Sequence, residues 1–186
     1  KMGEPWKIGW FGALRCRKSL EILADVAKRM DGKVEVILRG RPAYSEFDDF
    51  DGFVANAPHL RFEGPYKNPE DLAAIYNEVQ FTWAIDFFEE GQNSSWLLPN
   101  RLYEGCLFGT LPIALSGTET ARFLETRNIG HILPSADAAT LVSLFSGLSE
   151  DAYLAEFRKL AAIDRKQWVT DRQDCTHLVH KLASLA

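Results

Sequence analysis

Between residues 7 and 133 six short apolar runs alternate with five amphipathic stretches of helical period. The apolar runs at 7–11, 34–38, 60–62, 81–85, 111–115 and 131–133 read as strands, and 34–38, without polar alternation except Glu35, has the pattern of a strand covered on both faces. Between them, residues 19–30, 47–54, 69–78, 102–108 and 119–126 read as helices. Leu20, Leu23, Ala24, Ala27 and Met30 make the clearest stripe, with Ser19 as its expected N-cap. Strand, helix and strand in series imply parallel pairing with right-handed crossovers, hence a doubly wound α/β sheet. After Leu133 only helical patterns remain, at 138–145, 151–163 and 171–185. The last carries a stripe of Cys175, Leu178, Val179 and Leu182 whose expected place is ordinary core packing, the alternative being a face turned toward a partner domain.

The 186 residues, 46% hydrophobic and 25% charged, suit one domain. Residues 1–6 read as a linker or a non-native leader, and 7–186 as a single domain. No apolar run approaches the ~18 residues of a membrane span, and no N-terminal stretch reads as a signal peptide. Cys16, Cys106 and Cys175 lie far apart with no CxxC pair, which argues against a disulfide framework and for a reducing compartment. His59, His131, His177 and His180 are scattered at no metal-ligand spacing with a Cys or acid, so catalytic or ligand roles are not expected of them.

A net charge of −5 speaks against nucleic acid as a partner. The charge is unevenly placed. Residues 1–42 carry ten Lys/Arg against five Asp/Glu, whereas 43–90 carry two against eleven. The basic excess surrounds the first loop, which either binds an anionic small molecule or is a solvated surface.

Ligands of doubly wound sheets bind at the carboxyl ends of the strands, here loops 12–18, 40–42, 64–66, 86–101 and 116–119. The first loop supplies Gly12, Arg15, Arg17 and Lys18 immediately before a helix N-terminus, a place where free N–H groups favour a diphosphate. It is neither a Walker loop nor GxGxxG. Farther on, Asn100 is the expected N-cap of the 102–108 helix, with Arg101 beside it. Glu104 lies one turn into that mostly apolar helix. A carboxylate there needs a partner, either an arginine or a pair of ligand hydroxyls.

The stretch from Glu104 through Gly105, Cys106, Leu107, Phe108, Gly109, Thr110, Leu111, Pro112, Ile113 and Ala114 resembles the “EAxxxGxPVIA” signature of group 1 glycosyltransferases, family 4, of GT-B fold. The first loop is similar to that family's “GRLxxxKG”, with Gly12, Leu14 and Lys18 matching. Gly40 and Gly64 fall where the family has glycines after its second and third strands. The version with Pro99, Asn100, Arg101, Tyr103 and Glu104 resembles bacterial exopolysaccharide transferases of succinoglycan type. The resemblance spans residues 7–135. Ala13, Ser19 and Trp96 depart from it, Trp96 standing where the EX7E pair has its first acid.

The resemblance implies a Rossmann-like three-layer αβα domain with a mainly parallel sheet of about six strands and extra C-terminal helices, one half of a GT-B fold. It implies a hexosyltransferase that retains anomeric configuration, uses a UDP- or GDP-sugar without metal or other cofactor, and builds a bacterial exopolysaccharide or glycolipid. Within it, Lys18 would neutralise the diphosphate, with Arg15 or Arg17 standing in for the arginine that is Ala13 here. Glu104 would hold the ribose hydroxyls, and backbone N–H groups near Asn100 and Arg101 would receive phosphates. Arg41, Gly64 and Pro65 would flank the base, and Thr118 lies in the remaining strand-end loop. Glu89, Glu90, Asn93, Ser94 or Ser95 would take the sugar contact left open by Trp96, the alternative being that 92–96 is a mobile loop. The acceptor would be held by an N-terminal domain absent from this chain, which alone would be inactive. The expected place is the cytoplasm, peripheral to the inner face of the membrane where the acceptor is membrane-linked.

Two other readings stand beside this one. A sugar-nucleotide epimerase would need an acid/base pair that is not evident. A degenerate Rossmann-like domain would bind or regulate without transferring; a receiver module fails because Gly12 and basic residues follow the first strand instead of acids.

Overall fold

The computed structural model describes residues 3–184. Of the expected linker 1–6, Lys1 and Met2 lie outside the described residues, while Trp6 is already the buried first residue of β1. The chain runs β1 (Trp6–Leu14), α1 (Arg17–Met30), β2 (Val34–Pro42), α2 (Phe50–Asn56), β3 (Leu60–Phe62), α3 (Leu72–Tyr76) and β4 (Phe81–Trp83). It continues through α4 (Asn93–Trp96), α5 (Asn100–Leu107), β5 (Leu111–Leu115), α6 (Glu119–Arg127), β6 (His131–Leu133), α7 (Ala138–Ser146), α8 (Glu150–Ala161) and α9 (Arg172–Ala183). The strands form a six-stranded parallel sheet in the order β3-β2-β1-β4-β5-β6. This is the doubly wound Rossmann order, with its topological switch between β1 and β4.

The β1 and β2 side chains divide between two layers. Ile8, Trp10, Val36 and Leu38 join the larger core with Leu20, Leu23 and Ala27 of α1. Phe11 and Ile37 join a smaller core with Leu72, Ile75 and Tyr76 of α3. Both strands are longer than the apolar runs suggested. Gly12 and Gly40, read as strand ends, are paired neighbours within the ladder, which continues to Leu14 and Pro42. Close approach explains it: at Gly40 (φ +134°) a Cβ would lie 1.8 Å from the Gly12 carbonyl oxygen, so only glycine lets the strands run on together.

Three local expectations are corrected. Ser19 is not the cap of α1: Cys16 is, its Sγ accepting from the Ser19 amide at 3.4 Å. Ser19 is instead buried, its hydroxyl accepting from Trp83 Nε1 at 3.0 Å. Asn100 is not the cap of α5 but its first residue. Pro99 occupies the cap and offers no side-chain hydrogen bond. On α9 the apolar stripe does not reach the core; Leu178, Val179 and Leu182 are 58%, 63% and 60% exposed, and Leu185 lies outside the described residues. No helix among the described residues is long and apolar enough to cross a membrane.

Candidate functional site

At the switch point, a cavity of about 280 Å³ opens between the carboxyl end of β1, the 64–68 loop, the chain after β4 and the start of α5. Its walls include Gly12, Arg15, Asn100, Arg101 and Glu104 from the sequence-derived set. A larger groove of 770 Å³ runs between α1 and α2, but it lies off the strand ends. Its Arg17 is already paired with Glu21 and Asp48, both at 2.8 Å or less. The smaller cavity is therefore the candidate site.

Helix α5 builds the floor. Gly105 lies so close to β4 that a Cβ there would meet Thr82 Oγ1 at 2.5 Å, and Leu102 and Cys106 bury beside it. This docking aims the open N-terminus of α5 into the cavity and sets Glu104 on its wall. The Leu102 amide donates to the Pro99 carbonyl at 2.9 Å; without a capping side chain, the N–H groups of Asn100 and Arg101 retain their attraction for an anion.

Glu104 has its partners within the protein. Oε2 accepts from the Tyr76 hydroxyl at 2.9 Å, and Oε1 accepts from Asn68 Nδ2 at 3.1 Å. Burial first, and the Glu104 carboxylate second, push the Tyr76 phenol far above its ordinary range, so it stays a donor. Tyr66 on the same wall is raised by the same two causes in the same order.

Arg101 points inward. Its Nε donates to the Trp83 carbonyl at 2.7 Å and its Nη2 to the Ile85 carbonyl at 2.9 Å, fastening the chain that leaves β4. Burial pulls this guanidinium below its ordinary range, opposed chiefly by Asp86. The Asp86 carboxylate is 3.9 Å from Arg101 and 3.6 Å from Arg15, and so sits between two cations. The Arg101 side chain is thus a structural clamp, leaving only its backbone to face an anion.

The remaining expected residues lie outside the cavity lining. Lys18 sits on the adjoining rim, its Nζ 2.8 Å from Glu90 and over the Phe87 ring at 4.2 Å. Arg41, exposed at the end of β2, and Gly64 with Pro65 extend the strand-end ledge beyond the cavity. The Thr118 hydroxyl is occupied in capping α6: it accepts from Ala121 N and donates to the Leu115 carbonyl.

The first loop's positive charge is also locally matched. Arg15, Arg17 and Lys18 face Asp86, Asp48 and Glu90, all from the acidic 43–90 segment. Asn68, Tyr76, Asp86 and Glu90 are the residues sequence reasoning missed as partners. The surplus of acids in 43–90 foreshadowed Asp86 and Glu90; no sequence signal pointed to Asn68 or Tyr76. Among the described residues, no group of three or more His, Cys, Asp or Glu is gathered to hold a metal ion.

The fold is that of one Rossmann-like half of a GT-B glycosyltransferase. Anabaena HepE in complex with UDP-glucose superposes with a TM-score of 0.71 at 16% identity, over 96% of this chain and 49% of that one. The C-terminal domain of the group 1 glycosyltransferase LpcC from Francisella tularensis superposes with a TM-score of 0.58 at 15% identity, over 92% and 88%. No protein-family model matches the chain. In sequence the chain is a close relative of the succinoglycan biosynthesis protein ExoL of Rhizobium meliloti (strain 1021), 61% identical over 183 residues. That match takes in 98% of this chain but 45% of ExoL, so the chain spans less than half the length of its curated relative.

Proposed function

We propose that this chain is the donor-binding part of a retaining hexosyltransferase, holding a UDP- or GDP-sugar for synthesis of a bacterial exopolysaccharide or glycolipid. The observation that carries the reading is the convergence, in one strand-end cavity, of the Glu104 carboxylate, the uncapped N-terminus of α5 and the Arg15 guanidinium. Glu104 accepts hydrogen bonds from a ribose diol while the N–H groups of α5 receive phosphate. Negative charge develops on the departing diphosphate as the glycosidic bond breaks, and fixed dipoles and cations stabilise it there. Arg15 and Lys18 supply that charge after turning away from Asp86 and Glu90. Arg41, Gly64 and Pro65 flank the base.

The UDP-glucose in HepE and the succinoglycan role in ExoL's name support the substrate class. Trp96, where the family motif has an acid, is 77% exposed. The sugar contact therefore falls to the polar residues between Glu89 and Ser95, on the turn before α4 and in α4 itself. No metal enters this reading. An N-terminal partner domain brings the acceptor, membrane-linked in a setting at the inner membrane face. A binding or regulatory domain without transfer is the second reading, favoured by the pairing of Arg15 and Lys18 with acids.

Calorimetric titration with UDP, GDP, ADP and NAD tests the proposal. One diphosphate nucleotide should bind in the micromolar to low-millimolar range, and Glu104→Ala should weaken it by ~1.5–3 kcal/mol. Lys18→Ala should weaken it less, because that side chain first has to leave Glu90. Absence of binding by all four nucleotides overturns the donor-site reading. With donor and sugar acceptors supplied, the chain alone should show no transfer.

A further inference from the structure

Glu104 lies on α5, yet each of its oxygens is held by a residue of the preceding crossover. Asn68 sits in the loop before α3, and Tyr76 ends α3. Tyr76 is itself immobile. Its relative exposure is 0%; its ring stacks on Phe108 at 5.9 Å and 13° and meets Phe11 edge-on at 5.0 Å. A phenol fixed in this way beside a carboxylate can only donate, and its direction fixes the plane of the carboxylate.

A glutamate on a surface helix samples several rotamers, and ordering them on binding opposes affinity. Here the ordering is already done. A carboxylate offers about two lone-pair directions per oxygen. Tyr76 takes one on Oε2 and Asn68 one on Oε1, so one on each oxygen remains. Two remaining acceptor sites on neighbouring oxygens match two adjacent hydroxyl donors, the pattern of a ribose 2′,3′-diol.

We propose that Tyr76 is a positioning residue that holds Glu104 in the orientation for two-pronged capture of a ribose diol, with Asn68 fixing the second oxygen. This rests on the reading of Glu104 as the ribose ligand. It makes the pocket selective for ribonucleotides over their deoxy forms, a selectivity that depends on a side chain out of the ligand's reach. The Tyr76 ring serves the core, whereas its hydroxyl serves the site, so the two can be separated by one atom.

The test compares affinities of UDP and 2′,3′-dideoxy-UDP, and of GDP and its dideoxy form, for the full chain and three variants. Wild type should prefer the ribose form of the nucleotide it binds by about tenfold or more, the effect of one charged hydrogen bond. Glu104→Ala should bring the ratio close to one. Tyr76→Phe, which keeps the ring packing, should cut the ratio at least about threefold while leaving dideoxy affinity unchanged. A merely structural defect lowers both affinities together and leaves their ratio intact. Asn68→Ala, at an exposed loop position where misfolding is not a concern, should reduce the ratio by a smaller factor.

If Glu104→Ala abolishes the preference and Tyr76→Phe retains it in full, the positioning role is overturned and the Glu104 reading stands. If wild type shows no preference, or Glu104→Ala keeps it, the ribose reading itself fails and the positioning role falls with it.

Discussion

His131 on β6 has its Nε2 buried with no hydrogen-bond partner and its ring tilted against Phe81 at 5.7 Å. Burial lowers its proton affinity from the ordinary 6.5, with Glu156 opposing the shift and Lys159 adding to it. The unfolded chain therefore binds this proton at a higher pH than the folded chain does. The stability contributed by the neutral imidazole is complete above pH 6.5 and is lost as the pH falls from there through the folded-state value, at up to ~1.4 kcal/mol per pH unit. His131→Phe keeps a ring against Phe81 and removes the titration. Urea unfolding at descending pH should show the variant gaining on wild type below pH 6.5, and parallel curves would refute the assignment. Arg101 shows the same dependence on surroundings. In sequence it is a cation beside a helix start, and nothing local says that it turns inward to the carbonyls of Trp83 and Ile85. That choice is made by the end of β4 and the chain leaving it, whose Trp83 and Ile85 carbonyls need a donor.

At the scale of elements, period and composition were enough for the alternation, the parallel sheet and the approximate position of every strand. Boundaries were less legible because glycine carries two meanings. Gly12 and Gly40 punctuate the apolar runs, yet in the sheet their missing side chains let β1 and β2 stay paired to Leu14 and Pro42. Ser19 was ambiguous in another way. A serine before an apolar stripe reads as a cap, but here it faces inward and joins α1 to β4 through Trp83. Deleting its hydroxyl leaves a buried indole N–H unsatisfied, at a cost of ~1–3 kcal/mol. Ser19→Ala should lower the urea midpoint accordingly with an unchanged slope. In a Trp83→Phe background the same substitution should cost much less, the signature of a pairwise bond. Equal losses in both backgrounds would show that Ser19 acts through packing alone.

For the whole molecule, the place of the candidate site was legible from topology, since strand-end loops of a doubly wound sheet converge at the switch between β1 and β4. Its internal wiring was not. Glu104 meets Asn68 and Tyr76 across 36 and 28 residues of sequence, and Lys18 meets Glu90 across 72, pairings that no local pattern encodes. The largest departure concerns α9. An apolar stripe at helical spacing tells that a face wants cover, but not which surface supplies it. In the folded chain α9 has no buried residue, although its capping box of Asp171 and Asp174 is complete. The helix is thus specified locally while contributing no buried side chain to the core. The element before it differs, because Trp168 is buried against Phe123. A chain ending at Thr170 keeps Trp168 and should lose almost nothing: its melting temperature should stay within ~2 °C of the full chain, less than the shift from 1 kcal/mol in a domain of this size. A drop of ~5 °C or more would mean that α9 packs onto the domain in solution. An unchanged value with reduced self-association or dye binding would show Leu178, Val179 and Leu182 to be an apolar surface that this domain leaves uncovered.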